Sequence, residues 1–267
     1  MTGESDIQDR QLQGKGKTMS YEPIVPRARI GFVIPTSNRM IEPQMQRYMP
    51  PGVVPHFTRI RMTNKHKAPL EQLLPRIADA ASMLAESRCD VTVLQCTGTS
   101  MSGGIDMEKR VIEEMQKATG RPAATAASSI TAAFAALGAR RLVLISETKQ
   151  PDHEKKKNYL REAGYDVVAD KAVGLAGTDE YCTMPPQLWF DTALSLRNGG
   201  ADAYFISCAN IHSIDAIEEL ESVLNKPVVT SNQAAIWRSL RLAGIRDAVP
   251  GLGRLLRHDA DEAVAAE

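Results

Sequence analysis

The sequence predicts an α/β protein of two pseudo-symmetric, Rossmann-like lobes, each a parallel sheet flanked by helices, with an active site in the cleft between them. First, apolar strand-like runs alternate with helix-like segments along the chain, which is typical of parallel sheets. Second, residues 90–97 (DVTVLQCT) and 202–209 (DAYFISCA) look like copies of each other. Third, each copy ends in a cysteine followed by a small residue, and open α/β sheets bind ligands at the carboxyl ends of their strands.

The repetition extends beyond these two stretches. Residues 29–34 (RIGFVI) match 141–146 (RLVLIS), and residues 121–125 (RPAAT) match 226–230 (KPVVT). The spacing between the copies is nearly constant, which indicates two similar lobes, the second with a shorter loop after its cysteine. Pseudo-twofold packing would bring the two thiols to one cleft from opposite sides.

Apolar runs and helix-period stripes define the first lobe. Leucine and alanine residues in 69–86 recur at three-to-four spacing, which is typical of a helix packed on a core. A small polar loop is predicted at 97–104. The predicted strands are 30–34, 53–60, the run that ends before Cys96 and a short one after Pro122; the predicted helices begin near Met40 and cover 69–86, 107–117 and 128–137.

The second lobe repeats this order. The basic run within 152–162 is interpreted as a solvated helix face without a function, and 174–186 as a loop at the cleft mouth. The predicted strands are 141–145, one from 165, the run that ends before Cys208 and 227–229; the predicted helices are 152–162, 189–197, 214–224 and 233–242.

These elements give four segments. Residues 1–26 are predicted to be a flexible extension, and 251–267 a polar tail. Residues 27–122 form the first lobe, completed by about 229–250, and 123–228 form the second lobe.

Composition and sequence motifs exclude several classes of protein and partner. The 267 residues carry 32 basic and 32 acidic side chains, so no basic face for nucleic acid is expected. No apolar run approaches the roughly 20 residues of a membrane helix, and no secretion signal is evident. Four cysteines without such a signal indicate free thiols and a cytoplasmic protein. Dinucleotide and phosphate loops are missing, and the Cys208–His212 spacing lacks a second ligand pair, so neither a cofactor nor a metal is expected.

The two cysteines are the candidate catalytic residues. A single cysteine at a strand end is more often a small buried residue, but equivalent positions in two lobes favour a function for Cys96 and Cys208. Opposed thiols can racemise a carbon α to a carboxylate, or isomerise a double bond by addition and protonation. One thiol alone can protonate the enediolate left by decarboxylation. Cys89 and Cys182 lack such placement and are interpreted as structural.

All three reactions need donors that hold a small carboxylate substrate. Ser37 and Asn38 could equally cap the helix that follows them. The candidate substrate-binding residues are Ser37, Asn38, Thr97, Gly98, Thr99, Ser100, Ala209, Asn210, Thr230 and Ser231.

Four motifs carry a resemblance to a known family. They are Pro-Thr-Ser-Asn at 35–38 followed by Glu-Pro at 42–43, Cys-Thr-Gly-Thr-Ser at 96–100, Ser-Cys-Ala-Asn at 207–210 and Lys-Pro-Val-Val-Thr-Ser-Asn-Gln at 226–233. From about residue 27 to 245 the chain resembles the maleate cis-trans isomerase and arylmalonate decarboxylase branch of the aspartate/glutamate racemase superfamily.

The resemblance implies a cofactor-independent isomerase that acts on a small dicarboxylate such as maleate. It also makes a homo-oligomer an option. Isomerases of this branch carry both cysteines, whereas the decarboxylase lacks the first. The resemblance makes Cys96 the nucleophile and Cys208 the proton donor, and it matches Asn38 to a substrate-binding asparagine.

One departure from the family keeps other functions open. Where the isomerases have a Thr-Pro-Tyr turn whose tyrosine contacts substrate, this chain has Ser146-Glu147-Thr148. Glu147 would place a negative charge near a dianion unless it points outward. The alternatives are an arylmalonate-type decarboxylase, an aspartate/glutamate-type racemase, and a binding protein that holds a carboxylate without turnover.

Overall fold

Two four-stranded parallel sheets form the frame of the protein. The computed structural model describes residues 25–257. The strands are β1 (Ala28–Pro35), β2 (Val53–Ile60), β3 (Val91–Leu94), β4 (Ala123–Thr125), β5 (Arg141–Ser146), β6 (Asp166–Ala172), β7 (Ala203–Ser207) and β8 (Val228–Thr230). The helices are α1 (Ile41–Tyr48), α2 (Leu70–Glu86), α3 (Thr97–Met101), α4 (Gly104–Thr119), α5 (Ala126–Ala136), α6 (Gln150–Glu162), α7 (Thr178–Tyr181), α8 (Pro186–Ser195), α9 (Ile217–Leu224) and α10 (Ser231–Leu242).

The two sheets have the same topology. The strand order is β2-β1-β3-β4 in the first sheet and β6-β5-β7-β8 in the second, and all pairs are parallel. The central strands are almost entirely apolar and buried, as expected for strands covered by helices on both faces. The predicted fold class is confirmed.

The aspartate that opens each copy has the same structural role. Asp90 accepts a hydrogen bond from the backbone N–H of Arg29 at 2.8 Å. Asp202 accepts from the backbone N–H groups of Arg141 at 2.7 Å and Arg140 at 2.9 Å, and these bonds lower the pKa of its carboxyl group. Each aspartate therefore ties the start of its strand to the neighbouring central strand.

The threonine that closes each copy begins a helix. Thr125 accepts from the backbone N–H of Ser128, and Thr230 accepts from that of Gln233. In both cases the side chain three residues on accepts from the threonine's own N–H, which completes a capping box. The repeated threonine is thus explained by helix capping.

The two helices capped in this way join the lobes. α5 and α10 pack against each other, and each also contacts strands of both sheets. Phe134 of α5 packs edge-on against Phe205 of β7 and Tyr165, with ring centroids 5.6 and 5.1 Å apart. One of the two apolar clusters of the core therefore contains residues of both lobes.

Several boundaries differ from the sequence predictions. The first sheet extends to Thr125, beyond the predicted boundary at 122, and the boundary at 228 falls within β8. The segment predicted as a polar loop after Cys96 forms α3, because its small hydroxyl residues bond back to backbone carbonyls within one turn.

Part of the predicted C-terminal tail also differs from the prediction. The part of the predicted polar tail at 251–257 is packed on the core, with Leu252, Leu255 and Leu256 fully buried. Residues 1–24 of the predicted extension and 258–267 of the predicted tail lie outside the described residues. Within residues 25–257, no helix is both long and apolar enough to cross a bilayer.

Candidate active site

A cleft of about 650 Å³ opens at the carboxyl ends of the central strands of both sheets. Its walls include Pro35 at the end of β1 and Cys96 just after β3. From the second sheet they include Glu147 just after β5 and Cys208 just after β7. The duplicated architecture thus brings the two candidate thiols to one cavity.

Cys96 lies at the N-terminus of α3 and is 9% exposed. Its thiol donates to the Thr99 hydroxyl at 3.1 Å. Burial raises the pKa of Cys96, and the charge of Glu147 raises it further, while the bonds with Thr99 and the charge of Lys156 act in the opposite direction. Thr99 is therefore placed to donate to the sulfur when Cys96 is a thiolate.

Cys208 is 8% exposed and has an unusual backbone conformation. Its φ of 126° lies in a region that residues other than glycine rarely adopt. Its backbone N–H donates to Ser231 Oγ at 3.1 Å, and its sulfur accepts from the backbone N–H of Asn210 at 3.3 Å. Burial and the nearby carboxylate of Glu147 raise the pKa of Cys208 well above that of an ordinary thiol, which suits a proton donor.

The structure gathers most of the predicted site residues around these thiols. The cleft is lined by Ser37, Asn38, Thr97, Gly98, Thr99, Ala209 and Asn210. The Thr97 hydroxyl is buried and has no hydrogen-bond partner among the described residues.

Three predicted substrate-binding residues lie outside the cleft lining. The Ser100 hydroxyl donates to the Thr97 carbonyl and accepts from the backbone N–H of Ala127. Thr230 caps α10, and Ser231 supports the backbone of Cys208. The hydroxyl groups of these three residues bond to the protein around the site. The sequence alone could not distinguish such a supporting role from contact with the substrate.

Asn38 bonds to the backbone at the start of α1 and lines the cleft. Its Oδ1 accepts from the backbone N–H groups of Met40 at 2.9 Å and Ile41 at 2.8 Å. Its Nδ2 donates to the carbonyl of Ala209 at 3.0 Å, in the opposite lobe. An amide nitrogen has two N–H groups, so one donor remains for a ligand, and a substrate contact stays a prediction.

A buried amide cluster behind the thiols was not predicted. Gln95, which precedes Cys96, donates to Asn232 Oδ1 at 2.9 Å, and Asn232 donates to Gln44 Oε1 at 2.6 Å. Gln44 in turn donates to the carbonyl of Ile211 at 3.0 Å. Gln95 lies in the repeated stretch at 90–97 and Asn232 in the motif at 226–233, and these positions were the only sequence signal for them.

Glu147 points inward and forms a buried ion pair. Its Oε2 lies 2.6 Å from Lys156 Nζ, and the side chains are 6% and 3% exposed. The basic run of α6 was interpreted as a solvated face, which is wrong for Lys156. His153, Lys156 and Leu160 share the buried stripe of α6, and this helical spacing was the signal that could have identified the lysine.

Ser146 belongs to a Ser–His–Asp arrangement, but its hydroxyl is not accessible as a nucleophile. His153 Nδ1 lies 2.7 Å from Ser146 Oγ, and its Nε2 lies 3.0 Å from Asp170. Ser146 is completely buried and lies outside the cleft lining, so a substrate cannot reach its hydroxyl. Ser146 Oγ is 3.2 Å from the hydroxyl of Thr148, which does line the cleft, so the arrangement fixes the turn after β5.

His212 lies away from the cleft. His212 Nε2 lies 2.9 Å from the carbonyl oxygen of Cys182, away from the cleft lining. Among residues 25–257, no group of three or more His, Cys, Asp or Glu side chains could hold a metal ion.

Comparison with known proteins assigns the family. The sequence profile of the arylmalonate decarboxylase family matches residues 30–256. The chain belongs to this family. Its relatives include a maleate isomerase of Nocardia farcinica, 30% identical over 242 residues that cover 87% of this chain and 96% of the relative. Another is the arylmalonate decarboxylase of Bordetella bronchiseptica, 27% identical over 188 residues that cover 69% and 78% of the two chains.

A solved structure of the arylmalonate decarboxylase family adds a chemical observation. The Nocardia farcinica maleate cis-trans isomerase, in a cysteine-to-serine mutant, carries a covalently bound succinylcysteine intermediate. It is 25% identical to this chain, with a TM-score of 0.78 over 86% of this chain and 98% of that one. The predicted family is confirmed, and its characterised relatives are isomerases and decarboxylases. This chain is accordingly a cysteine-based isomerase or decarboxylase that acts on a small molecule.

Proposed function

We propose that the protein is a cofactor-independent cis-trans isomerase of a small unsaturated dicarboxylate, or dicarboxylate derivative, of the maleate type. The observation that carries the proposal is the presence of two buried thiols, one from each lobe, on one cleft. A decarboxylase needs one thiol to protonate an enediolate, whereas addition and protonation across a double bond use two.

In the proposed mechanism Cys96, as the thiolate, adds to one carbon of the double bond. The π electrons move toward the carboxylate on the other carbon, and Cys208 gives its proton to that carbon. Rotation about the new single bond follows. The Cys208 thiolate then removes a proton from the same carbon, the carbon–sulfur bond breaks, and the trans double bond forms. Cys96 leaves as the thiolate and Cys208 is again the protonated thiol.

The environments of the two sulfurs support these roles. The bonds with Thr99 oppose the effect of burial on the pKa of Cys96, and the charges of Glu147 and Lys156 act on that pKa in opposite directions. Glu147 and burial keep Cys208 protonated. The remaining Asn38 donor is available to stabilise charge that develops on the substrate carboxylate.

Proton NMR with maleate in deuterated buffer tests the proposal. Fumarate is expected with the intact protein and should be absent with Cys96→Ser or Cys208→Ser. The Cys89→Ser variant is a matched control, because its thiol is buried away from the cleft and turnover should be unchanged. Full activity in either cleft variant would contradict the mechanism, and carbon dioxide release from a substituted malonate without isomerisation would favour a decarboxylase.

A further inference from the structure

The Glu147–Lys156 ion pair forms part of the cleft wall that holds both thiols. The two charges compensate each other at 2.6 Å with almost no exposure to water. Separating them would leave a buried charge without a partner, which is strongly unfavourable. A ligand must therefore bind to the pair as it stands.

The charges on the cleft lining leave room for one substrate carboxylate. Three lysines, at positions 67, 155 and 156, face two carboxylates, Glu147 and Asp152. Asp152 contacts both Lys67 and Lys155, at 3.1 and 2.9 Å. One positive charge is in excess, and it lies toward the more exposed Asp152 side of the cleft.

We propose that the preferred substrate carries one carboxylate and one primary amide, as in the monoamide of a cis-unsaturated dicarboxylate, with the amide bonded to Glu147 and Lys156. This inference rests on the proposed isomerase function. An amide presents a donor and an acceptor together: its N–H can donate to a Glu147 oxygen while its carbonyl accepts from Lys156. The carboxylate and the ammonium group both have hydrogen-bonding capacity beyond their mutual contact.

A second carboxylate fits this wall poorly. Lys156 would attract it, but Glu147 would repel it at nearly the same distance, so its desolvation would not be offset. A carboxylate also has no proton to donate to Glu147. The pair thus discriminates between an amide and a carboxylate at one end of otherwise similar molecules.

Calorimetric titration with saturated, unreactive analogues tests this inference without any turnover. The wild-type protein should bind the monoamide of succinate on the order of tenfold more tightly than succinate. The amide of the monoamide can bond to both Glu147 and Lys156, whereas the second carboxylate of succinate cannot. Equal affinities, tighter succinate or no binding of either analogue would overturn the inference.

Two variants assign the preference to the ion pair. Glu147→Gln removes the repelling charge and should reverse the order, so that succinate binds more tightly than its monoamide. Glu154→Gln lies on the same helix outside the cleft lining and should keep the wild-type order. An unchanged order in Glu147→Gln would also overturn the inference, and the wild-type ratio remains decisive if that variant does not fold.

The outcomes separate this inference from the proposed function. Isomerisation of maleate monoamide followed by NMR reports on the reaction, and the titration reports on recognition. A monoamide preference in binding without isomerisation would contradict only the function. Isomerisation with tighter binding of succinate would contradict only the substrate class.

Discussion

Asn232 Nδ2 lies 2.6 Å from Gln44 Oε1, so the first turn of α10 is hydrogen-bonded to α1 at the base of the cleft. Asn232 also accepts from Gln95, the residue before Cys96, and donates to the carbonyl of Ala209, the residue after Cys208. One buried side chain is thus connected to the backbone or neighbours of both thiols.

Replacing this side chain should weaken both the fold and the reaction. Asn232→Leu leaves Gln44 Oε1 without its donor and removes one of the two acceptors of Gln95 Nε2, at a cost of about 1–3 kcal/mol for each buried group left unpaired. Urea unfolding should show this loss of stability, and the turnover number should fall. Asn158→Leu, on the exposed face of α6, is the control and should change neither; a fully stable and active Asn232→Leu variant would contradict the role of the cluster.

The rate should depend on pH through both thiols. Burial raises the pKa of Cys96 above that of an ordinary thiol, so its reactive thiolate is a minor form at neutral pH. The pKa of Cys208 is raised well above the same value, so the acid form persists to higher pH. The value of kcat/KM should therefore rise as the pH increases from 6 to beyond neutrality and fall only when Cys208 ionises; a rate that declines from pH 6 to 8 would contradict these assignments.

The strained backbone at Cys208 has a measurable consequence for stability. Its φ of 126° favours glycine, whereas the φ of Cys96 is −150°, which any residue adopts. Cys208→Gly should unfold at a higher urea concentration than Cys208→Ala, by about 1 kcal/mol in stability. The matched pair at Cys96 should show the opposite order, since glycine there only adds freedom to the unfolded chain. The same order at both sites would contradict the strain.

Two adjacent lysines should differ sharply in their contributions to stability. Lys156→Met leaves the Glu147 carboxylate buried and unpaired, which should cost about 3–5 kcal/mol. Lys155→Met removes only a partly exposed pair with Asp152 and should change stability by less than about 1 kcal/mol. Thermal and urea unfolding of the two variants provide the measurement. The double variant Glu147→Gln, Lys156→Met should recover part of the loss, and equal effects of the two single variants would contradict burial of the pair.

The fold followed from the sequence because strand-length apolar runs and helical stripes agree with the repeat at every element. The repeat was recognisable through residues with the same role in both lobes. Asp90 and Asp202 tether a strand to its neighbour, and Thr125 and Thr230 cap a helix. Local chemistry fixed these positions, so their spacing along the chain was enough to predict the architecture.

The site was predicted less completely because its shape depends on contacts between lobes. Lys156 lies in a run of three lysines, and composition favoured a solvated face until the structure placed that turn of α6 against the cleft. Ser231 and Ser100 have the residue types of ligand donors, yet their hydroxyl groups face the protein interior. The direction of a side chain, rather than its residue type, separated these two serines from Asn38, which lines the cleft.

Mass spectrometry of the Cys208→Ser variant after incubation with maleate or its monoamide tests the central claim most directly. Cys208 is also the base that removes a proton before the carbon–sulfur bond breaks, so without it the account predicts that a covalent adduct of one substrate molecule, protonated from water, accumulates on the peptide that contains Cys96. A double variant, Cys96→Ser with Cys208→Ser, should carry none. An adduct confined to Cys89 or Cys182, or an unmodified Cys96 in a protein whose wild type isomerises the same substrate, would contradict the two-thiol mechanism.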